Sequence, residues 1–484
     1  MFFLIIGIAV LVFLFCKYFS QRPGNFPPGP PNHPLIGGLL SMPSGETHFT
    51  QQEWLTKYGG VVGIMMGPRP GLFIQGAPYV QDALKKPEFQ GRPHTADFKE
   101  RSFGKFLGIF FCDGPQWQNS RKFTVKFTKG VKDTEGIMQL EMDELFRRIT
   151  NGQVYEMNQV FRESTVNIIW TILSGMRCTV EDQRIKNLLE NLTNSFRSGR
   201  PGSRMTSLLN LIPVLSKFDE ARKLQRKATR MLQNFFRENI QEHRATLDPE
   251  NPRDFYDAYL IEQRKAQETG IDSHLWSEED LIVISMDIFT ASYESLNASM
   301  AFAVLYMILY PEVQTKLHQE LDKYLGTRRP SLEDRQYLDY AQAVISEVFR
   351  INTIAPVAAP HRCTEDTTFY NYFIPKDTSI YISLWSLLHD EKTWDNPSTF
   401  KPERFLSPEG KFDKRNPNFI NFGSGRRSCT GDFVAQNVMF LYVTTFFQKY
   451  SVHRDPNNPD LSTKAMAGFT TSPQPFKAII RERY

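Results

Sequence analysis

Apolar residues along most of this chain recur at helical spacing, and only a few short runs read as strands. Thr50 to Tyr58 reads as a helix, Thr134 to Arg244 as mostly helical, and Ala341 to Ile351 as a further helix. The longest stretch runs without proline from Asp280 to Tyr310 and stops at Pro311, as a buried central helix would. An amphipathic run from Phe433 to Phe447 closes the series. Val61 to Met66, Gly71 to Gln75, Tyr370 to Pro375 and Ser379 to Ile382 have strand character, the first two joined across a Gly-Pro-Arg-Pro turn. The pattern predicts a mainly α protein with a small β region. The polar break Ser198-Gly199-Arg200-Pro201-Gly202 separates two long helices, and the apolar run Leu208 to Leu215 that follows it suits a partner or membrane surface as well as a core.

The N-terminus departs from this pattern. Phe2 to Cys16 is uncharged and apolar, and Lys17-Tyr18-Phe19 extends it to about the length needed to span a bilayer. No charged region precedes it and no small-residue cleavage site follows, so an anchor over 1–20 is expected rather than a removed signal peptide. Basic residues lie downstream, which places the body on the cytosolic side. Phe26-Pro27-Pro28-Gly29-Pro30-Pro31 makes 21–36 a stiff, extended hinge and leaves 37–484 as the main body.

Composition narrows the field slightly. Fifty-seven basic and 53 acidic side chains nearly balance at +4 in 484 residues, so nucleic acid is not a suggested partner. The five cysteines, at 16, 112, 178, 363 and 429, show no pairing rhythm and no zinc spacing. They fit a reducing compartment.

One of them carries the chemistry. Phe422-Gly423-Ser424-Gly425-Arg426-Arg427-Ser428-Cys429-Thr430-Gly431 sets a cysteine in a glycine-broken loop at the start of a helix, where unpaired N–H groups favour negative charge. With Arg427 as a nearby cation, this is the setting expected for an ionised, metal-binding thiolate. A lone cysteine before a helix is ordinarily just a buried thiol; the surrounding pattern argues otherwise. Trp117 and Arg121 share a helical face and suit a carboxylate pair. Glu347 and Arg350 also share a face, and Pro402-Glu403-Arg404-Phe405 supplies a second arginine for the same acid. Asp287 to Ser295 places Glu294 beside Ser295 on the central helix, a pair ordinarily solvated or back-bonded to the chain.

The loop pattern Phe-x-x-Gly-x-Arg-x-Cys-x-Gly resembles the haem-thiolate signature of cytochromes P450, and the other motifs stand in that family's order. The resemblance covers the chain from end to end. It implies the P450 fold behind an N-terminal transmembrane helix, and haem b with iron on Cys429. It implies haem contacts from Phe422, Gly425, Arg427, Trp117, Arg121 and Arg362, while Glu347, Arg350 and Arg404 are structural. It also implies that the aromatic run Phe103 to Cys112 roofs the pocket, that Ala355, Val357 and Ala358 line it, and that the turn Gly468 to Pro473 enters it. The implied activity is monooxygenation of a lipophilic small molecule by O2, with Glu294 and Ser295 managing protons. Electrons would come from NADPH–cytochrome P450 reductase, docked on Lys122, Lys126, Lys414, Arg415, Arg426 and Lys449, at the endoplasmic reticulum membrane. The chain departs from the family at Ser292, where a glycine is usual, and at Ser295, where threonine is usual. That departure leaves open a P450-fold isomerase or dehydratase acting on a lipid peroxide, and, further off, a non-catalytic haem carrier. The overall pattern resembles the microsomal drug- and steroid-type enzymes and their arthropod relatives, among which a methyl farnesoate epoxidase is one expected activity.

Overall fold

The computed structural model describes the chain except residues 1–5, 8–9, 15–20, 34–35, 43–46, 132, 179–182, 199–218, 414, 459 and 469. Seven helices position the site: α1 (Gly114–Gly130), α2 (Arg162–Ser174), α3 (Glu220–Ala245), α4 (Phe255–Thr269), α5 (Glu278–Leu309), α6 (Asp339–Asn352) and α7 (Asp432–Lys449). The β region is small, as expected. One sheet runs β1 (Val61–Met66), β2 (Arg69–Ile74), β7 (Ser379–Ile382), β4 (His361–Arg362), and its β2–β7 pair is parallel. Another sets β3 (Val154–Glu156) beside β9 (Lys477–Glu482) and β8 (Tyr450–Arg454). The strands β5 (Thr367–Phe369) and β6 (Tyr372–Ile374) form a hairpin.

Helix α5 is the axis of the molecule. Ser277 caps its start by accepting the Asp280 N–H, three acids occupy its first turn, and Pro311 stops it. It is buried along most of its length and packs against α2, α3, α6 and α7. Such a helix reads as apolar nearly all round because neighbours cover most of its surface.

Several expected boundaries shift, most of them by one to three residues. Strand β2 starts at Arg69, because Gly67 at φ +62° completes the turn early and Arg69 pairs with Met66. The run from Tyr370 shortens to Tyr372–Ile374, because Tyr370 and Asn371 adopt positive φ in the turn. The terminal helix extends one residue before and two beyond the expected 433–447. The anchor expected over 1–20 and the apolar run 208–215 fall largely or wholly outside the described residues. Among the described residues no single helix is long and apolar enough to cross a membrane.

The proline-rich segment lies against the sheet. The Gly63 N–H donates to Pro28 O at 2.9 Å, Phe26 is buried, and Arg22 ties the segment's own carbonyls together at Pro27 and Pro30. The backbones approach so closely that a Cβ on Gly29 would stand 1.9 Å from Gly63 O. Only glycine fits there.

Far from the cysteine loop, His243 at the end of α3 joins three elements. Its Nδ1 faces Asn239 O at 2.7 Å, and its Nε2 faces Asp254 Oδ2 at 2.9 Å and Ser174 O at 3.1 Å. Asp257 stands close enough for a shared cation, but Arg253 already holds its carboxylate and Asp254 caps its N–H. Burial would lower the imidazole pKa, yet the bonds to Asp254, Asn239 O and Ser174 O raise it overall. A raised histidine stabilises the fold fully below its ordinary pKa of about 6.5, and that contribution fades as pH rises through the folded-state value. Between pH 6 and 9 the melting temperature of the wild type should therefore fall more than that of His243→Phe, by about 2 °C, in thermal melts across that range.

Candidate active site

Backbone geometry shapes the cysteine loop. Gly423 and Gly425 both adopt φ +72°, and a Cβ on Gly425 would lie 2.5 Å from Leu84 O. The Cys429 N–H donates to Phe422 O at 2.8 Å, closing the loop, and Phe422 packs edge-on to Phe349 of α6. Gly431 is not held in a left-handed conformation; it caps α7, and a Cβ there would meet Cys429 Sγ only at an ordinary 3.9 Å.

Cys429 is exposed toward a cavity of about 1220 Å³. Its surroundings differ from the expected thiolate setting. Burial pushes the thiol up, and the Gly431 N–H and Arg121 only partly oppose this, with Asp432 adding to the rise. A metal cation bound there would deprotonate the coordinating thiol outright. The cation acting on Cys429 is Arg121 rather than Arg427.

Arg427 instead stacks on Trp117, its guanidinium 3.7 Å from the ring centre, and donates through Nε to Gln90 O. Arg121 Nη2 donates to Ser428 Oγ at 3.2 Å. Arg92, which the sequence reading passed over, is buried and bonds Phe110 O, Ala359 O and Pro360 O. Arg92, Arg121 and Arg427 all line the cavity, and among the described residues none has a carboxylate within ion-pair distance. Burial, then the nearness of Arg92 and Arg121, pulls Arg427 down to about 8; burial pulls Arg92 to about 10. Among the described residues, Arg427 Nη1 and Trp117 Nε1 are buried donors without partners. Arg362 also lines the cavity, but it is already bound to Asp113 and Asp377, each at 2.7 Å.

Unpaired buried donors and crowded guanidiniums are costly unless an anion completes them. A haem bearing two carboxylates would meet that need: Cys429 would hold its iron, and Arg92, Arg121, Arg427 and the Trp117 N–H would hold its acid groups.

Helix α5 supplies another wall. Ala291, Ser292, Ser295 and Ser299 line the cavity along one face. Ser292 and Ser295 donate to Ile288 O and Ala291 O, each at 2.7 Å, so their protons are engaged and their lone pairs remain available. Glu294 is buried and is not among the lining residues.

The aromatic roof hangs from the same helix. Asp280 accepts the Gly108 N–H at 2.8 Å, and Asp287 accepts those of Ile109 and Phe110 at 2.8 and 3.0 Å while pairing with Arg101 at 2.6 Å. Gly108 is at φ +83°, and a Cβ there would stand 2.4 Å from Asp287 Oδ2. The two acids lie seven residues apart, on one helical face. Ile109, Phe110 and Phe111 line the cavity beneath, as the sequence suggested for this run.

A mainly α body, a cavity-facing cysteine in a glycine-shaped loop and an arginine cluster lacking anions define a haem enzyme of the thiolate class. Comparison with known proteins agrees. The family model for Cytochrome P450 matches residues 27–480. The chain is 33% identical to Farnesoate epoxidase of Bombyx mori, covering 99% of each chain. It is 34% identical to Cytochrome P450 2J2 of Homo sapiens, over 94% of this chain and 90% of the relative. It is 32% identical to Cytochrome P450 2B2 of Rattus norvegicus, over 95% of this chain and 94% of the relative. The chain belongs to the cytochrome P450 family, and so is a monooxygenase whose cofactor is haem with iron on a cysteine thiolate.

Proposed function

We propose that Cys429 is the iron ligand, and that the enzyme inserts one oxygen atom from O2 into a lipophilic small molecule by hydroxylation or epoxidation. The observation that carries this is the group of Arg92, Arg121 and Arg427 without carboxylate partners on the cavity that Cys429 faces. When bound, the haem supplies oxygen activation, and a thiolate ligand favours O–O cleavage. Trp117, Arg121 and Arg427 hold the acid groups with Arg92; Arg362 braces that wall through Asp113 and Asp377. Phe422 and Gly425 shape the seat of the ring.

Ser295 stands on the cavity wall with free lone pairs and can orient a water that carries protons; Glu294, one residue back, can reach such a chain only through intervening groups. Loss of a positioned proton-transfer group costs about a hundredfold. Ser295→Ala should therefore lower product formed per NADPH consumed by about 10- to 100-fold while leaving ligand affinity nearly unchanged, as read by paired NADPH and product assays.

Electrons come from NADPH–cytochrome P450 reductase on the cysteine side, where Lys122, Lys126 and the exposed Arg426 present positive charge; Arg415 is engaged by Asp413 and Lys449 by Glu482, and Lys414 lies outside the described residues. Residues 1–20 anchor the enzyme in the endoplasmic reticulum membrane with the body in the cytosol, from which an apolar substrate partitions. The likeness to a farnesoate epoxidase supports an isoprenoid acid or ester as substrate.

The test is a reduced carbon-monoxide difference spectrum of the purified chain, followed by turnover with and without NADPH and reductase. A thiolate-type Soret band and reductase-dependent product are expected. Absence of the band refutes the ligand, and turnover of a lipid peroxide without NADPH would favour an isomerase or dehydratase instead.

A further inference from the structure

The roof over the cavity hangs from two acids of α5 that differ in one respect. Asp287 has a cation beside it, Arg101 at 2.6 Å. Among the described residues no basic side chain lies within ion-pair distance of Asp280, and Lys105 of the roof pairs with Glu279 instead. Asp280 is nonetheless fully buried. Three neutral donors from three elements meet its carboxyl group. The Gly108 N–H of the roof reaches Oδ1 at 2.8 Å, while the Ser120 hydroxyl of α1 and the Tyr259 hydroxyl of α4 reach Oδ2 at 2.9 and 3.2 Å. Ser120 directly precedes Arg121, so this one acid joins the roof to the helix that carries Trp117 and Arg121.

Asp280 can lose its charge without leaving a polar group bare. Ser120 Oγ also lies 2.9 Å from Gln116 O, and Tyr259 Oη 3.2 Å from Ser277 O. With Asp280 ionised, both hydroxyls donate to it. With Asp280 protonated, its own O–H donates to one of them, which then donates to its carbonyl. The bond to Gly108 is the one that suffers, because a neutral acid accepts an N–H less strongly than a carboxylate does. The titratable groups facing Asp280 are Asp287 of its own helix, Tyr259 of α4 and Cys112 at the end of the roof. Tyr259 is held well above its ordinary range and Cys112 is pushed up to about 12, so neither ionises near neutrality. Burial, with Asp287 adding to it, raises Asp280 to about 6 against the pull of its three donors.

We infer that Asp280 is a positioning residue: its ionised carboxylate holds the roof down over the substrate, and protonation of this one acid loosens the roof and weakens substrate binding. Substrate binding enters through the function proposed above; the loosening of the roof does not depend on it. Above the folded-state pKa the charged acid grips Gly108 fully. As pH falls through that value the grip weakens, while Asp287 still holds the N–H groups of Ile109 and Phe110. The change is therefore local to the roof and needs no unfolding.

Amide hydrogen exchange of the haem-loaded full chain, corrected for the intrinsic pH dependence of exchange, reads the roof directly. From about pH 7.5 to about pH 5.5, protection of the Gly108 amide should fall about fivefold in the wild type. In Asp280→Asn, whose amide copies the neutral acid, protection should stay near the wild type's acid-side level at every pH. Soret-shift titrations with methyl farnesoate, a ligand that does not itself titrate, should follow suit. The wild type should bind it about 3- to 8-fold more weakly at the acid end, and Asp280→Asn uniformly weakly with a flat profile. A purely structural Asp280 would leave the wild type flat. Gly108 protection that ignores pH, a methyl farnesoate affinity unmoved by pH, or a wild-type slope surviving in Asp280→Asn overturns the inference. The wild-type profiles decide the matter even if the variant does not fold. A chain lacking the thiolate-type Soret band sinks the proposed iron ligand, while the exchange profile still reads the roof.

Discussion

Replacing Cys429 by alanine is expected to abolish the thiolate-type Soret band and bring turnover to background. The other described thiols cannot substitute. Cys112 and Cys363 are buried, donate to Phe106 O and Glu365 O, and are pushed up by burial to about 12 and about 11. Neither they nor Cys178 line the cavity. Cys112→Ser and Cys363→Ser should keep the spectrum, so a carbon-monoxide difference spectrum of the three variants assigns the ligand. A band surviving in Cys429→Ala would sink the assignment.

Glu347→Ala is expected to be the most destabilising single change, by about 3–5 kcal/mol, because it strips a buried carboxylate from two guanidiniums. Glu347 and Arg350 are fully buried, bonded at 2.7 and 2.8 Å. Arg404 adds a bond at 3.1 Å and the Lys401 N–H another at 3.0 Å, so Glu347 is multiply satisfied. Arg350 also donates to Leu388 O and Pro397 O, knitting α6 to the segment before the cysteine loop. Leaving Arg350 in place without its acid exposes the full desolvation cost of a buried charge. Denaturant unfolding of the haem-loaded protein measures the loss; a change under about 1 kcal/mol would show that the triad is worth no more than a surface pair.

Local patterns made much of this readable from the sequence. The glycines around Cys429 announced a turned loop, two of them at positive φ, and the spacing of Glu347 to Arg350 placed both on one face of α6. Burial was harder to read. The loop's position before a helix and near an arginine suggests an ionised thiol, but neither feature discloses that the protein packed behind the sulfur pushes its pKa up. Arg427 is close to Cys429 in sequence, yet its side chain turns to Trp117, whereas Arg121, far off in sequence, acts on the sulfur. Arg92 was invisible for a similar reason: its partners Ala359 and Pro360 are 267 and 268 residues away. The only available signal was an arginine in a glycine–proline setting, Gly91-Arg92-Pro93, which alone means little. Asp287 looked like the opening of a helical motif, and its hold on the 109–110 backbone needed the fold.

That hold has a consequence for how such an enzyme can change. The ceiling over the cavity is tied to the helix that bears Ser295, because Asp280 and Asp287 bond the roof to α5. A larger guest that lifts Ile109 and Phe110 pulls on the helix that also governs water and protons. Tolerance for new molecules and thrift with reducing equivalents should therefore trade against each other: lineages that widen the chamber through this loop will waste more NADPH until a second change decouples ceiling from wall.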